Sequence, residues 1–228
     1  MYTNVWYVAA RTEELKDKPL YVKMLGSDFV LFRNNEGKPA CLSNACPHRG
    51  ASLANGSCSE NREIICPFHG WQFNGEGTCT RIPAVGDDDP QTDAPGVKID
   101  SYPTVEKHGL IWTFLGDEPD QAKPILEIPE LDDPEYTVVS DDVIFESNFH
   151  LAKFSNLDYV HLPIVHGIRF EDQENPYQPP PHTVERTDYG MTAFIETEST
   201  YSKGAWSNVR EEGTRVKSIL KYFIAGQT

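Results

Sequence analysis

The first half of the chain alternates between short apolar runs and turn residues. The runs 21–25 and 29–33 are separated by Gly26, Ser27 and Asp28, a spacing that predicts a β-hairpin. Residues 5–10 and 109–115 are further apolar runs of strand length. No helical period competes with these runs over residues 5–115. The pattern therefore predicts a small all-β domain at the N-terminal end.

The pattern changes after residue 116. Residues 117–136 contain four prolines and eight acidic residues in twenty positions, which is typical of an extended, solvated linker. We therefore predict three segments: a first domain at 1–116, an acidic, proline-rich linker at 117–136, and a second domain at 137–228.

The second domain mixes helical and strand patterns. Residues 138–145, 184–200 and 215–224 alternate partly between apolar and polar side chains, as strands do. Residues 151–165 have helical spacing as far as Pro163, which is expected to end the helix. The mixture predicts an α+β domain with an antiparallel sheet.

Composition and charge narrow the class of protein. Of the 228 residues, 39% are apolar and 24% are charged, a balance typical of globular proteins. The net charge of -15 argues against nucleic acid as a partner, because nothing would neutralise a phosphate backbone. The acidity indicates either solubility or a docking face for a basic partner.

The chain shows no sign of a membrane span or of a secretory signal. No run reaches the ~20 apolar residues that a span needs, and residue 1 leads almost directly into the first strand. We therefore expect a cytoplasmic protein with no membrane partner. Five cysteines are an odd number, so a disulfide framework is not expected. Cys41, Cys58 and Cys79 are interpreted as buried or half-buried thiols.

Two short segments each combine one cysteine with one histidine. Cys46-x-His48 and Cys66-x-x-His69 are separated by seventeen residues. Two thiolates and two imidazoles are the ligand set of a Rieske [2Fe–2S] cluster, with the cysteines on the inner iron and the histidines on the outer one. The alternative is a zinc site. Zinc fingers usually pair Cys with Cys and His with His, whereas each segment here is mixed.

These residues carry a resemblance to a known family. The two cluster segments, the opening Trp6-Tyr7-Val8-Ala9 and the run 109–117 resemble the Rieske domain of Rieske-type non-haem iron oxygenase α-subunits, which hydroxylate or demethylate aromatic compounds. The resemblance implies that Cys46, His48, Cys66 and His69 bind the cluster.

A second motif, Asp158-x-x-His161-x4-His166, lies beyond the linker. A helix would place Asp158 and His161 on one face, and Pro163 would let His166 fold back toward His161. Two histidines five residues apart are often ordinary surface or core residues. Two imidazoles and a carboxylate on Fe(II) leave positions open for O₂ and substrate.

The family resemblance gives these residues distinct roles. It implies that His161 and His166 bind a mononuclear Fe(II). Asp158 would be a bridge for electron transfer between His161 and His69 of a neighbouring subunit, not a ligand. The third ligand would be a carboxylate on a late C-terminal helix. No residue of this chain has that position, so we expect the second domain to be incomplete at its C-terminal end.

The same resemblance predicts an architecture and a function. The fold would be α+β, an all-β Rieske domain followed by a helix-grip-like catalytic domain, assembled as a homotrimer. The chain would be a terminal oxygenase that takes electrons from a reductase or ferredoxin. It would activate O₂ to hydroxylate, demethylate or dihydroxylate a small organic substrate, with monooxygenation favoured slightly.

Two other interpretations stay open. A Rieske electron carrier would explain residues 46–69 equally well but would leave His161, His166 and everything after residue 117 without a purpose. A truncated relic would keep the cluster but could not hold catalytic iron. The carrier needs two irons in each chain and the oxygenase about three, so an iron count separates them.

Overall fold

The computed structural model describes residues 3–86, 96–125, 127–131, 133–139, 144–158, 160–167, 174, 175, 177–179, 181–187, 190–198 and 215–223. The chain divides into two compact units, one up to Asp133 and one over Pro134–Ile224. No helix within the described residues is long and apolar enough to cross a membrane.

Short antiparallel strands build the first unit. They are β1 (Val5–Arg11), β2 (Leu20–Met24), β3 (Ser27–Arg33), β4 (Pro39–Ser43), β5 (Ser57–Cys58), β6 (Ile64–Ile65), β7 (Gln72–Phe73), β8 (Cys79–Arg81), β9 (Ser101–Tyr102), β10 (Thr104–Lys107) and β11 (Leu110–Leu115). They form sheets with the orders β1-β11-β10, β2-β3-β4-β9 and β5-β6-β7-β8. The predicted all-β character of this unit is confirmed.

The predicted hairpin of β2 and β3 is confirmed. Met24 pairs with Ser27, and the two residues between them, Leu25 and Gly26, have φ angles of 50° and 83°. Positive φ at both central positions is the geometry of a two-residue hairpin turn whose twist matches the strands. Gly26 adopts it without strain because it lacks a Cβ.

Strand β3 is apolar at consecutive positions because both of its faces are buried. Val30 and Phe32 point into one core, which also contains Cys46 and Cys66. Phe29 and Leu31, which alternate with them along the strand, point into a second core on the opposite face of the sheet. Because successive side chains of a strand point to opposite faces, β3 contributes to both cores. One of these cores contains the candidate cluster cysteines.

The segment predicted as a solvated linker contacts the first unit as far as Glu127. The Trp6 Nε1–H donates to the carbonyl of Lys123 at 3.0 Å, and the Lys107 ammonium pairs with the Glu127 carboxylate. Ile125 is 7% exposed. The buried side chain of Ile125 and these polar contacts of Lys123 and Glu127 hold this part of the segment against the strands of the first unit.

The second unit contains a helix and a three-stranded antiparallel sheet. The helix is α1 (Phe149–Leu157), and the sheet has the order β12-β13-β14, with β12 (His182–Thr187), β13 (Gly190–Glu198) and β14 (Arg215–Phe223). The predicted strand at 215–224 is confirmed. The predicted run 184–200 is two strands, because Thr187 pairs with Gly190 across a reversal. The helix-grip arrangement of this unit stays a prediction.

Half of the strand predicted at 138–145 lies outside the described part, because residues 140–143 are not described, and the described residues 138, 139, 144 and 145 form no strand. Val139 and Ile144 are 70% and 92% exposed. The predicted end of the helix was wrong: α1 ends at Leu157, with Asp158 as its C-cap, and not at Pro163. The Asp158 Oδ1 accepts from Val160 N at 2.9 Å, a local turn that competes with helical hydrogen bonds.

Candidate cluster and iron sites

The two candidate cluster loops share one backbone design. In the first loop, Cys46 N donates to the carbonyl of Ala51 at 2.9 Å. In the second loop, Cys66 N donates to the carbonyl of Trp71 at 2.8 Å. Each bond closes a six-residue loop that begins with a cysteine and contains a histidine. The two ligand pairs are therefore presented by the same local structure.

A glycine after each histidine completes the design. Gly50 N donates to the carbonyl of Cys46 at 2.8 Å, and Gly70 N donates to the carbonyl of Cys66 at 3.1 Å. Their φ angles are 70° and 73°, a region that side chains disfavour. A Cβ on Gly70 would also lie 3.1 Å from Pro83 Cγ. Backbone conformation therefore favours glycine at both positions, and the close approach of Pro83 favours it further at Gly70.

Neighbouring elements position each loop. The second loop is the connection of a hairpin in which Ile64 pairs with Phe73. The first loop follows β4 and is held by Asn44, which is 7% exposed. The Asn44 Oδ1 accepts from Ala54 N at 2.9 Å, and its amide donates to Ser52 Oγ at 2.9 Å. Sequence analysis missed Asn44, although a polar residue between an apolar strand and the cysteine was a usable signal.

The two cysteines form the buried side of the site. Cys46 and Cys66 are each 2% exposed. Burial raises the pKa of the Cys46 thiol to about 11, against the opposing effect of the backbone N–H groups of His48 and Arg49. These N–H groups favour the thiolate, which is the form that binds metal. A bound cation would replace the thiol proton and remove the cost of burying this group.

The two histidines form the exposed side. His48 and His69 are both exposed, and their ring centroids are 4.6 Å apart. The ring of His48 also stacks on Trp71, with centroids 4.6 Å apart and planes 3° from parallel. Desolvation, followed by the charges of His69 and Arg49, lowers the pKa of His48. The neutral imidazole, which binds metal, is therefore favoured.

The donor set has the composition and arrangement of a Rieske cluster site. The two cysteines are buried and the two histidines are exposed, so like donors lie on the same side of the site. A [2Fe–2S] cluster of the Rieske type needs one cysteine pair and one histidine pair on separate irons, so the residues present fit this group.

The second unit brings two of the three predicted iron-site residues into contact. The rings of His161 and His166 have centroids 5.2 Å apart at 66°. A single π-helical turn, Leu162–His166, joins them and ends at Gly167, whose φ is 68°. The chain folds back through this turn as predicted, although Pro163 lies inside it and α1 has already ended. No third ligand joins the two histidines among the described residues.

Asp158 lies beside His161. Its Oδ2 is 3.8 Å from His161 Nδ1, which is within ion-pair range but longer than a hydrogen bond. Its other oxygen is engaged by Val160 N. Asp158 is therefore oriented by the local turn and adjacent to one imidazole. Its predicted bridge to His69 of a neighbouring subunit stays a prediction.

The sequence and the structure of the chain were compared with those of known proteins. Residues 5–103 match the Rieske [2Fe–2S] domain. The chain is 36% identical over 166 residues to the oxygenase component of dicamba O-demethylase from Stenotrophomonas maltophilia. It is 35% identical over 170 residues to chloroplastic chlorophyllide a oxygenase from Arabidopsis thaliana. The crystal structure of dicamba monooxygenase bound to 3,6-dichlorosalicylic acid superposes with a TM-score of 0.76 at 30% identity.

The chain contains a Rieske [2Fe–2S] domain and is similar over most of its length to Rieske non-haem iron oxygenases. The structural match covers 95% of this chain and 62% of dicamba monooxygenase. The sequence matches cover 72% and 73% of this chain, but 47% of dicamba O-demethylase and 30% of chlorophyllide a oxygenase. The chain thus spans about half or less of the length of these curated relatives.

Proposed function

We propose that this chain is the terminal oxygenase component of a Rieske system. It accepts electrons at a [2Fe–2S] cluster bound by Cys46, His48, Cys66 and His69. It uses a mononuclear Fe(II) bound by His161 and His166 to activate O₂ and to hydroxylate, demethylate or dihydroxylate a small organic substrate. Monooxygenation is favoured.

The proposal is supported by the length over which the chain is similar to known oxygenases. The aligned 166 to 170 residues exceed the matched Rieske domain, which ends at residue 103. The structural match to dicamba monooxygenase covers 95% of the chain. A protein that only carried electrons would need the first unit alone. The second unit, with His161 and His166 in contact, therefore favours an oxygenase over a carrier.

The residues of the second unit suit an iron ligand pair. Fe(II) held by two imidazoles would supply open positions for O₂ beside the substrate. The turn Leu162–His166 fixes the separation of the two rings. The Asp158 carboxylate lies 3.8 Å from His161 Nδ1. A shortening of this separation to a hydrogen bond would let it set the tautomer of the ligand histidine, as neighbouring carboxylates commonly do.

The residues of the first unit suit the cluster. A Rieske cluster would supply one-electron transfer at a potential higher than that of an all-cysteine cluster. The buried cysteine pair and the exposed histidine pair place the imidazoles on the side open to solvent. An exposed imidazole edge allows a donor protein or a neighbouring subunit to approach.

Substrate and partners follow from the relatives. The matched proteins are named for acting on dicamba, toluene-4-sulfonate and chlorophyllide a, so a small organic substrate is part of the proposal. The name "oxygenase component" supports a separate reductase or ferredoxin as the electron donor. We also propose that the chain assembles as a homotrimer. Its location would be a reducing cytoplasm, in which the five free cysteines would stay reduced.

Nitric oxide tests the proposal without knowledge of the substrate. It occupies an open position of non-haem Fe(II) and produces a high-spin paramagnetic signal that a [2Fe–2S] cluster does not produce. We expect anaerobic, iron-loaded protein to give this signal by electron paramagnetic resonance, alongside the spectrum of the reduced cluster. A protein with a full cluster and no such signal would instead be an electron carrier or a relic.

A further inference from the structure

Trp71 contacts both candidate ligand loops. Its indole stacks on His48 of the first loop, with centroids 4.6 Å apart and planes 3° from parallel. Its carbonyl accepts from Cys66 N of the second loop at 2.8 Å. We propose that Trp71 is a positioning residue for the cluster, whose indole orients the His48 imidazole and lowers the reduction potential. The proposal rests on His48 being a cluster ligand.

The indole is a firm support for the imidazole. Trp71 is half-buried and packs against the core that contains Cys46 and Cys66. One end of its side chain is therefore held by the same apolar cluster as the two thiols, and one face is left for His48. The contact between His48 and His69, by comparison, is tilted by 57°. The stack with Trp71 is thus the contact that defines the plane of the His48 ring.

The stack also changes the surroundings of the outer iron. In the oxidised cluster, two ferric ions are balanced by two sulfides and two thiolates, so an added electron creates a net negative charge. The indole excludes water from one face of His48, which disfavours that charge. Its electron-rich face also favours the more positive, oxidised state. Both effects lower the reduction potential.

The two effects can be separated by the choice of side chain. Trp71→Phe keeps a flat aromatic face against His48. Trp71→Leu keeps apolar bulk against the core but removes the aromatic face. Neither substitution touches the backbone carbonyl that accepts from Cys66 N. The closure of the second loop therefore remains in both variants, and a difference between them reports on the ring alone.

The test measures the one-electron reduction potential of the cluster at one fixed pH. We expect Trp71→Phe to stay near the wild-type potential. We expect Trp71→Leu to shift the potential upward, because the electron-rich face is lost. We also expect it to change the paramagnetic resonance spectrum of the reduced cluster, because the His48 ring is no longer held. Iron and acid-labile sulfide are counted first in each protein, so that only samples with full clusters are compared.

Trp6→Leu is the matched control. Trp6 lies in the same unit and makes a different aromatic contact, with Phe114 at 5.6 Å, outside both ligand loops. The Trp6→Leu protein should be less stable than wild type, but the reduction potential of its cluster should not change. A fully loaded Trp71→Leu protein with the wild-type potential and spectrum would overturn the positioning role. A wild-type protein without sulfide would instead overturn the cluster assignment itself.

Discussion

The two candidate metal sites are built in contrasting ways. In the first unit, four candidate ligands come from two separate loops that share one hydrogen-bonding pattern, and the cysteines lie in a core at 2% exposure. In the second unit, two histidines come from a single turn of five residues. That turn is largely exposed, with Ile164 and Val165 at 72% and 68%.

The contrast shows how much of each site is formed locally. The cluster site depends on packing between strands, so its ligands are separated in sequence and supported by buried side chains. The histidine pair depends on one chain reversal and needs little packing. We therefore expect the cluster site to tolerate few core changes, and the iron site to be lost through single ligand substitutions without damage to the first unit.

The largest expected effect is the loss of the cluster in Cys66→Ser. A hydroxyl is a poor replacement for a buried thiolate that binds iron, so we expect the protein to lose most of its iron and all of its visible cluster absorbance. The matched control is Cys79→Ala, which alters a cysteine of the same core outside the ligand loops. It should cost only about 1 kcal/mol of stability. A Cys66→Ser protein with full sulfide would rule out Cys66 as a ligand.

The next effect is selective loss of the mononuclear iron in His161→Ala. The ligand sets lie on different units, so the cluster spectrum should remain while the nitric oxide signal disappears. His150→Ala, on the first turn of α1, is the control and should retain that signal. If His161→Ala kept its full signal, the iron site would have to lie elsewhere.

A smaller effect is expected for Asp158→Asn. The amide keeps the size of the carboxylate and its acceptor for Val160 N, so both metals should stay bound. It removes the charge 3.8 Å from His161 Nδ1, and losses of this kind cost ~10–100-fold in activity. We expect slower reoxidation of the reduced cluster by O₂ with substrate bound. Reoxidation at the wild-type rate contradicts the bridge, whereas a lost iron would make Asp158 a ligand.

The smallest expected effect concerns the scaffold of the first unit. The Arg33 guanidinium hydrogen-bonds to Glu106 at 2.7 Å and lowers the pKa of that carboxyl from its ordinary value of 4.5. A carboxyl with a lowered pKa stabilises the fold above the ordinary value and loses this contribution as the pH falls. Glu106→Gln should therefore cost roughly 0.5–1 kcal/mol at pH 7 and progressively less in acid, by urea unfolding.

An exposed ion pair provides the control for that measurement. Glu36 pairs with Lys38 on the surface, with side chains 61% and 72% exposed. Because water screens such a pair, Glu36→Gln should leave the free energy of unfolding unchanged. Equal losses in Glu36→Gln and Glu106→Gln would show that partial burial of the Arg33 pair adds nothing.

Local signals predicted much of the first unit. The Gly-Ser pair after 21–25 marked a hairpin whose turn is Leu25 and Gly26, since two-residue turns depend on neighbouring residues alone. The mixed Cys and His spacing marked the ligand loops because a metal site restricts both residue type and spacing. Both faces of β3 are buried, which accounts for its uninterrupted apolar run.

Sequence patterns failed where long-range packing or side-chain competition decides the structure. The apolar residues at 138–145 predicted a strand, and its described residues Val139 and Ile144 are exposed and outside any strand. Helix α1 stopped early because the Asp158 side chain captures a backbone N–H. The stack of Trp71 on His48 joins two loops, so no local pattern could reveal it. No third ligand joins His161 and His166 among the residues that the structure describes.

Counting iron and acid-labile sulfide in the wild-type protein tests the central claim most directly. Two separate sites, a [2Fe–2S] cluster in the first unit and one Fe(II) in the second, predict about three irons and about two sulfides per chain. Two irons with two sulfides would mean that the chain carries electrons but holds no catalytic iron. Zinc without sulfide would contradict the cluster itself.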